Sequence, residues 1–142
     1  MQISTQVIEL IKHFEGFRSK VYLCPTGYKT IGYGHVLLEK DKFQEVNSIE
    51  AEELLIQDLN KAAISVINNI SIMLTQGQFD ALVSFTFNLG GAALQRSVLR
   101  QKINRQEHQE VAKEFMRWVY AGGVILAGLV KRRALEVEMY TH

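Results

Sequence analysis

The sequence predicts an α+β protein whose strands are gathered into one small part of a mostly helical chain. Three observations predict it. Apolar residues fall at helical spacing from Val7 to Phe14. Residues 21–38 then switch to strand and turn chemistry, with Pro25, Gly27, Gly32 and Gly34 supplying fixed or positive φ. From about residue 48 onward every apolar pattern is helical. Strands set apart from helices in this way define α+β rather than alternating α/β architecture. At 142 residues the chain holds one domain with a substantial core and is too short for two ordinary ones.

Ser4 is a suitable N-cap for a first helix over residues 4–14, in which Val7, Ile8, Ile11 and Phe14 form one apolar stripe. The hairpin region follows. Asn47 with Glu50, or Ser48 alone, can cap a long helix from about 48 to 69. Its inward face would be Leu55, Leu59, Ala62, Val66 and Ile70, and its length suits a bridge between two lobes. Thr75-Gln76-Gly77-Gln78 has capping-box spacing and opens an unusually apolar helix with Phe79, Leu82, Val83, Phe85, Thr86 and Leu89. Such a helix is expected to be buried on most sides, and Gly90-Gly91 ends it. Shorter helices are expected at about 97–104 and 107–119, the second burying Val111, Phe115 and Trp118. A Gly122-Gly123 turn leads to a last helix near 129–140. Strands are expected only in the first third.

Composition excludes several classes. A single proline and no Ser/Gly-rich tract argue against a linker or disordered tail. No apolar run approaches the ~18 residues of a membrane span, so stable membrane insertion is not expected. The opening MQISTQVIELIKHFE has neither the basic region nor the cleavage site of a signal peptide. Cys24 is the sole cysteine, which rules out an intrachain disulfide and fits a reducing cytosol. The net charge of +1 hides a balance of −3 over residues 1–91 and +4 over 92–142. A basic half suits a polyanion such as peptidoglycan or nucleic acid, and equally a set of solvated helix faces. No nucleic-acid motif or arginine-and-aromatic stripe is present, so no nucleic-acid partner is expected. His13, His35, His108 and His142 lack ligand spacing, so no metal or other cofactor is expected.

The chemistry concentrates in EGFRSKVYLCPTGYKTIGYGH, residues 15–35, which sets Glu15, Cys24 and Thr30 around a tight hairpin. Glu15 ends an apolar helix between Phe14 and Gly16-Phe17, a setting that desolvates a carboxyl and favours the protonated form a general acid needs. Glutamates at helix ends are also commonly just exposed. A free cysteine is usually a small buried apolar residue, and becomes a nucleophile or base only as a thiolate, which needs a cationic or hydrogen-bonded setting. Lys20, Lys29 and His35 are the cations nearest in sequence. Thr30 is ordinary for a strand. Phe17, Val21, Tyr22 and Ile31 read as core or cleft lining. Asn88 closes the apolar helix, where an amide either terminates it or faces a cleft. Trp118 reads as core or as a cleft wall. Arg132 and Arg133, placed at the start of the last helix, oppose its dipole and need a partner, for which Glu136 is spaced. A cysteine protease built on Cys24 and His35 is not favoured, because both lie on one hairpin with no oxyanion-hole motif beside them.

The spacing Glu, eight residues, Cys, five residues, Thr, followed by TIGYGH, resembles the active-site signature of the phage-type (T4- and P22-like) lysozymes, the endolysins of glycoside hydrolase family 24. Two further blocks match in order: QFDALVSFTFNLG from Gln78, and W-x-x-A-G-G-x-x-x-x-G-L-x-x-R-R-x-x-E from Trp118 to Glu136. The resemblance implies the lysozyme fold as a single domain. A small β-containing lobe of about 15–60 and a helical lobe of about 1–14 and 61–142 would flank a cleft, joined by the long helix. It implies a muramidase that cuts the β-1,4 bond between N-acetylmuramic acid and N-acetylglucosamine in peptidoglycan. Glu15 would be the acid, Cys24 a thiolate base or nucleophile where many relatives carry Asp, and Thr30 the holder of the attacking water. It further implies sugar-binding roles for Tyr33, Val36, Phe87, Asn88, Ser97 and Trp118, and a His35–Asp58 ion pair. Arg133 would form a salt bridge near the site, with Glu15 as a partner. The implied setting is a monomer made in the bacterial host cytoplasm and released to the wall by a holin-type permeabiliser. A lytic transglycosylase and an inactive peptidoglycan-binding protein are the alternatives.

Overall fold

The computed structural model describes residues 1–42 and 44–142. Helix α1 (Thr5–Glu15) starts at Ser4, whose hydroxyl accepts from Val7 N–H at 3.1 Å and donates to Asp80 at 2.6 Å. One side chain thus caps a helix and ties its start to a second helix. Gly16, at φ 69°, ends α1 by donating to Lys12 O, which leaves Glu15 at the very tip.

Strands β1 (Arg18–Leu23), β2 (Lys29–Gly32) and β3 (His35–Val36) form one antiparallel sheet in that order. β1 therefore begins at Arg18, before the turn residues that mark the hairpin in the sequence. Its register with β2 is irregular between Arg18 and Tyr22.

Both capping boxes form. Asn47 and Glu50 close α2 (Ser48–Asn69) with bonds of 2.8 and 3.0 Å, and Thr75 and Gln78 close α3 (Gln76–Leu89) with bonds of 3.1 and 2.9 Å. There follow α4 (Gly91–Arg96), α5 (Val98–Asn104), a 3-10 turn (His108–Glu110), α6 (Val111–Phe115), β4 (Tyr120–Ala121), β5 (Val124–Ile125) and α7 (Ala127–Thr141).

Three expectations need correction here. The helix expected over 107–119 stops at Phe115, so Trp118 lies in the connection beyond it. Strands are not confined to the first third, because β4 and β5 form a second hairpin. Gly122 and Gly123, at φ 59° and 80°, are its two-residue turn, the geometry that hairpins select and that two glycines supply without strain. Helix α7 also begins at Ala127, which places Arg132 and Arg133 beyond its first turn, away from the unfavourable end of the dipole.

Two buried clusters organise the packing. The larger takes Val7 and Ile11 from α1, the expected Leu55, Leu59, Ala62 and Val66 from α2 with Ile70 just past its end, and Phe79, Leu82, Val83 and Phe85 from α3. The smaller holds Ile31, Val46, Ala51 and Leu54 under the sheet. Helix α2 serves both clusters, one with its first turns and the other with the rest. Burying a large apolar side chain contributes about 1.5–3 kcal/mol, so most of the stabilisation lies in the larger cluster. Phe17 and Val21 are 42% and 37% exposed, against the expectation of core or cleft lining, while Ile31 is fully buried. Among the described residues no helix is long and apolar enough to cross a membrane.

Candidate active site

A cleft of about 730 Å³ opens between the sheet and the α2–α3 face. Glu15, Cys24, Thr30, His35, Asp58 and Asn88 all line it, as do Tyr22, Val36, Lys61, Ser65 and Phe87. The fold thus brings the tip of α1, the β1–β2 hairpin and the end of α3 to one opening.

Glu15 is held by contacts on two sides. A Cβ on Gly34 would lie 2.8 Å from Glu15 Oε2, so the β2–β3 turn (Gly34 φ 78°) approaches the carboxyl as closely as only glycine allows. On the other side Arg132 Nη1 donates to Glu15 Oε1 at 3.3 Å, while its Nη2 donates to Ser84 O at 3.2 Å. The Arg132 guanidinium also lies over the Phe14 ring at 5.1 Å. The acid is therefore not in the purely apolar setting expected of it. The partner expected for it was Arg133, and it is Arg132 that reaches it. On α7 these neighbouring side chains point in different directions, and Arg133 is turned inward to Glu136 and Asn88.

Cys24 opens a tight turn in which Gly27 N–H donates to Cys24 O at 2.8 Å, with Pro25 at the position whose fixed φ suits it. Its Sγ is 2.9 Å from Thr26 Oγ1. The Thr26 hydroxyl is the main cause that brings the Cys24 thiol down to about 7, helped by backbone N–H groups of Thr26 and Tyr28 and opposed by desolvation. Hydroxyl and amide donors thus do what sequence proximity had offered to Lys20, Lys29 or His35. Thr30 is buried, and its hydroxyl donates to Tyr28 O at 3.0 Å. Its proton is committed there, so toward the cleft this oxygen acts as an acceptor, able to accept a hydrogen bond from a water and so orient that water's lone pair.

His35 Nδ1 lies 2.8 Å from Asp58 Oδ2, and Nε2 lies 3.4 Å from Asp41 Oδ2. The Asp58 bond chiefly raises the His35 pKa, against the effect of burial. The Asp41 pKa is lowered, first by the Leu38 N–H that it accepts at 2.8 Å. A raised histidine stabilises the fold fully below its unfolded value of ~6.5, and that contribution is lost as pH rises through the raised folded value. Urea titrations at a series of pH values are expected to show stability falling over that window in the wild type. The fall should be flattened in Asp58→Asn.

The remaining expected residues divide. Val36, Phe87 and Asn88 face the cleft. Tyr33 is half-buried, packed with its ring tilted against Phe17 at 5.6 Å and Lys12 Nζ 5.6 Å above it, and is not among the cleft-lining residues. Ser97 is the buried N-cap of α5, donating to Leu94 O at 2.8 Å and accepting from Arg100 N–H at 3.0 Å. Trp118 packs edge-on against Phe85 at 5.5 Å and, with Ser97, borders a separate hollow beside Arg96 and Arg117.

Sequence reasoning named Asn88 but missed the polar stripe of α3 to which it belongs. Asp80, Ser84 and Asn88 recur every fourth residue on the one conspicuously apolar helix, and each is engaged: Asp80 by Ser4 and Gln76, Ser84 by Glu136, Asn88 by Arg133. That polar stripe was the available signal, since buried polar groups occur where partners meet them. Burial pushes the Glu136 carboxyl up and the Arg133 guanidinium down, with their opposite charges partly offsetting both. Arg133 Nε and Glu136 Oε1 stand 2.7 Å apart, but the N–H is not aimed along that line, so the contact is an ion pair rather than a directed hydrogen bond. Among the described residues no group of three or more His, Cys, Asp or Glu is placed to hold a metal ion.

Fold and cleft define the class: a lysozyme-fold protein with an acid on the tip of its first helix and a polar hairpin lining the same opening. A family model described as phage lysozyme matches residues 12–136, and the chain belongs to that family. It is 43% identical over 142 residues to the endolysin of Bacillus phage B103, covering 99% of this chain and 54% of that protein. It is 34% identical to the endolysin of Salmonella phage P22, covering 95% of this chain and 97% of the other. The chain thus spans about half the length of the Bacillus phage relatives it matches. Among solved structures it resembles the muramidase domain of SpmX from Asticaccaulis excentricus, with a TM-score of 0.90, 36% identity, and 99% and 98% of the two chains covered. A P22 lysozyme mutant gives a TM-score of 0.86 at 30% identity, covering 100% of this chain and 99% of that one.

Proposed function

We propose that this chain is an endolysin-type muramidase, a glycoside hydrolase that cuts the β-1,4 bond between N-acetylmuramic acid and N-acetylglucosamine in peptidoglycan. The observation that carries it is the shared cleft, which gathers the Glu15 carboxyl, the activated Cys24 thiol and the buried Thr30 hydroxyl around one space. Family membership supports the same reading. Glu15 donates its proton to the glycosidic oxygen as the bond breaks toward an oxocarbenium-like centre. The Cys24 thiolate either takes a proton from a water held by Thr30 or attacks the anomeric carbon itself. Phe87, Asn88 and Val36 hold sugar along the cleft, and Tyr33, Ser97 and Trp118 support it from behind or extend it. The chemistry needs no metal or organic cofactor. The chain acts as a monomer with one domain in two lobes, is made in the bacterial host cytoplasm, and reaches the wall after a holin-type protein permeabilises the membrane.

Analysis of the sugar ends released from purified peptidoglycan tests this reading. New reducing ends are expected. Anhydro ends would make the chain a transglycosylase, and binding without new ends would make it a sugar-binding protein.

The thiol adds its own expectation. Below about 7 Cys24 is protonated, so activity should fall as pH falls through that value. Alkylation and Cys24→Ala should each lower activity by about 10²-fold or more, with part of it kept in Cys24→Asp. Full activity after complete alkylation would remove Cys24 from the mechanism.

A further inference from the structure

Glu136 lies on α7, fully buried, and is not among the residues that line the cleft. Its carboxylate is nonetheless the common partner of the two arginines that reach cleft residues. Glu136 Oε2 accepts from Ser84 Oγ at 2.5 Å and from Arg133 Nη2 at 3.2 Å, and sits 3.5 Å from Arg132 Nε. From there the guanidiniums diverge. Arg132 Nη1 donates to Glu15 Oε1 at 3.3 Å, and Arg133 Nη2 donates to Asn88 Oδ1 at 2.7 Å. Two donors, Ser84 Oγ and Arg133 Nη2, and the Arg132 charge, paired with the same oxygen without a directed hydrogen bond, restrict where both guanidinium planes can lie, since each has few other partners. Arg132 keeps Ser84 O, and Arg133 keeps a longer bond of 3.4 Å to Trp118 O.

The second branch has a chemical consequence. A guanidinium only donates hydrogen bonds, so the Asn88 amide must turn its oxygen toward Arg133. That leaves its NH2 for the cleft that Asn88 lines. An NH2 presented there selects a carbonyl acceptor on the substrate, such as the acetamido oxygen of an N-acetylated sugar, and disfavours the ammonium of a de-N-acetylated one.

We propose that Glu136 is a positioning residue: one buried carboxylate sets the Glu15 carboxyl through Arg132 and the Asn88 amide through Arg133. Acid and sugar-binding donor are thereby held in a fixed relation by a group that touches neither. The proposal rests on the reading of the cleft as the glycosidase site. A purely structural Glu136, present only to neutralise two buried cations, would affect folding and leave the kinetics of the folded molecules unchanged.

Glu136→Gln preserves shape and the acceptor for Ser84 but puts an NH2 against arginine donors, so it can satisfy only one arginine at a time. Measured on soluble N-acetylated peptidoglycan fragments, below its melting temperature and per folded molecule, it is expected to lower kcat about 10-fold or more and to raise KM several-fold. Leu99→Ala, a buried change in α5 away from the cleft, is the control: lower melting temperature with kcat and KM unchanged. In an Asn88→Ala background Glu136→Gln should raise KM no further, because that part of its effect runs through Asn88. Unchanged kinetics in folded Glu136→Gln, or KM effects that simply add, would overturn the proposal. Should Glu136→Gln fail to fold, Ser84→Ala removes only the hydroxyl that anchors the carboxylate, and the same shifts are expected at smaller size. If the wild type binds fragments without cutting them, the glycosidase reading fails. A Kd weakened by Glu136→Gln only when Asn88 is present would even then uphold the positioning role.

Discussion

Glu15→Gln is expected to lower the release of sugar ends by about 10³-fold while leaving the melting temperature within about 2 °C of wild type. The first half follows from chemistry: an amide has no transferable proton for the leaving oxygen, and general acids contribute 10²- to 10⁴-fold. The second half follows from geometry. The Glu15 side chain is a quarter exposed, Gln has the same shape, and its oxygen still accepts from Arg132, which keeps Ser84 O and the charge of Glu136. Calorimetry beside end analysis checks both. A large drop in melting temperature would show that the ion pair with Arg132, rather than proton donation, is the main role of this carboxyl.

The largest effect on stability is expected at Arg133. Its side chain is fully buried, as is that of Glu136, and truncation to Ala leaves Glu136 with Arg132 as its single counter-charge. Breaking a buried pair in this way costs about 3–5 kcal/mol, which for a chain of this size lowers the melting temperature by roughly 10–15 °C. The cost comes from the stranded charge as much as from the lost contact. Arg133→Met combined with Glu136→Leu, which removes both charges and fills their volume, should therefore recover most of the loss, although it sacrifices the positioning of Asn88. A double variant no more stable than Arg133→Ala would place the cost in lost packing instead.

Much of this architecture was legible because local signals and tertiary packing agree. Of the two caps offered for α2 the Asn47/Glu50 box is the one that forms, Thr75/Gln78 marked the start of α3, and the apolar spacing of α2 named its buried face. The hairpin at 120–125 was missed because its strands are two residues each and exposed, so they leave no alternating pattern to read. Glu15, Cys24 and Thr30 were legible as candidates through a spacing that resembles the phage-lysozyme signature, and they line one cleft. The activation of Cys24 was not legible, since it depends on where the Thr26 hydroxyl points. Arg132 and Arg133 were both flagged with Glu136 as a partner, which each has, but the contact with Glu15 was given to Arg133 and belongs to Arg132: helical spacing gives the neighbours along α7 and says nothing of which side chain crosses to α1 or α3.

The division of labour within α2 has a consequence for how the protein fails. Ile31, Val46, Ala51 and Leu54 are a small apolar nucleus, while the opposite end of the helix is embedded in a far larger one. Subglobal opening is cheapest where few apolar groups are buried, so the hairpin end is the part that loosens first on warming. Cys24 and Thr30 travel with that end, and Glu15 stays with the other. On the proposed mechanism, inactivation on warming is therefore expected to be a parting of the two halves of the chemistry, beginning while most of the helices are still in place.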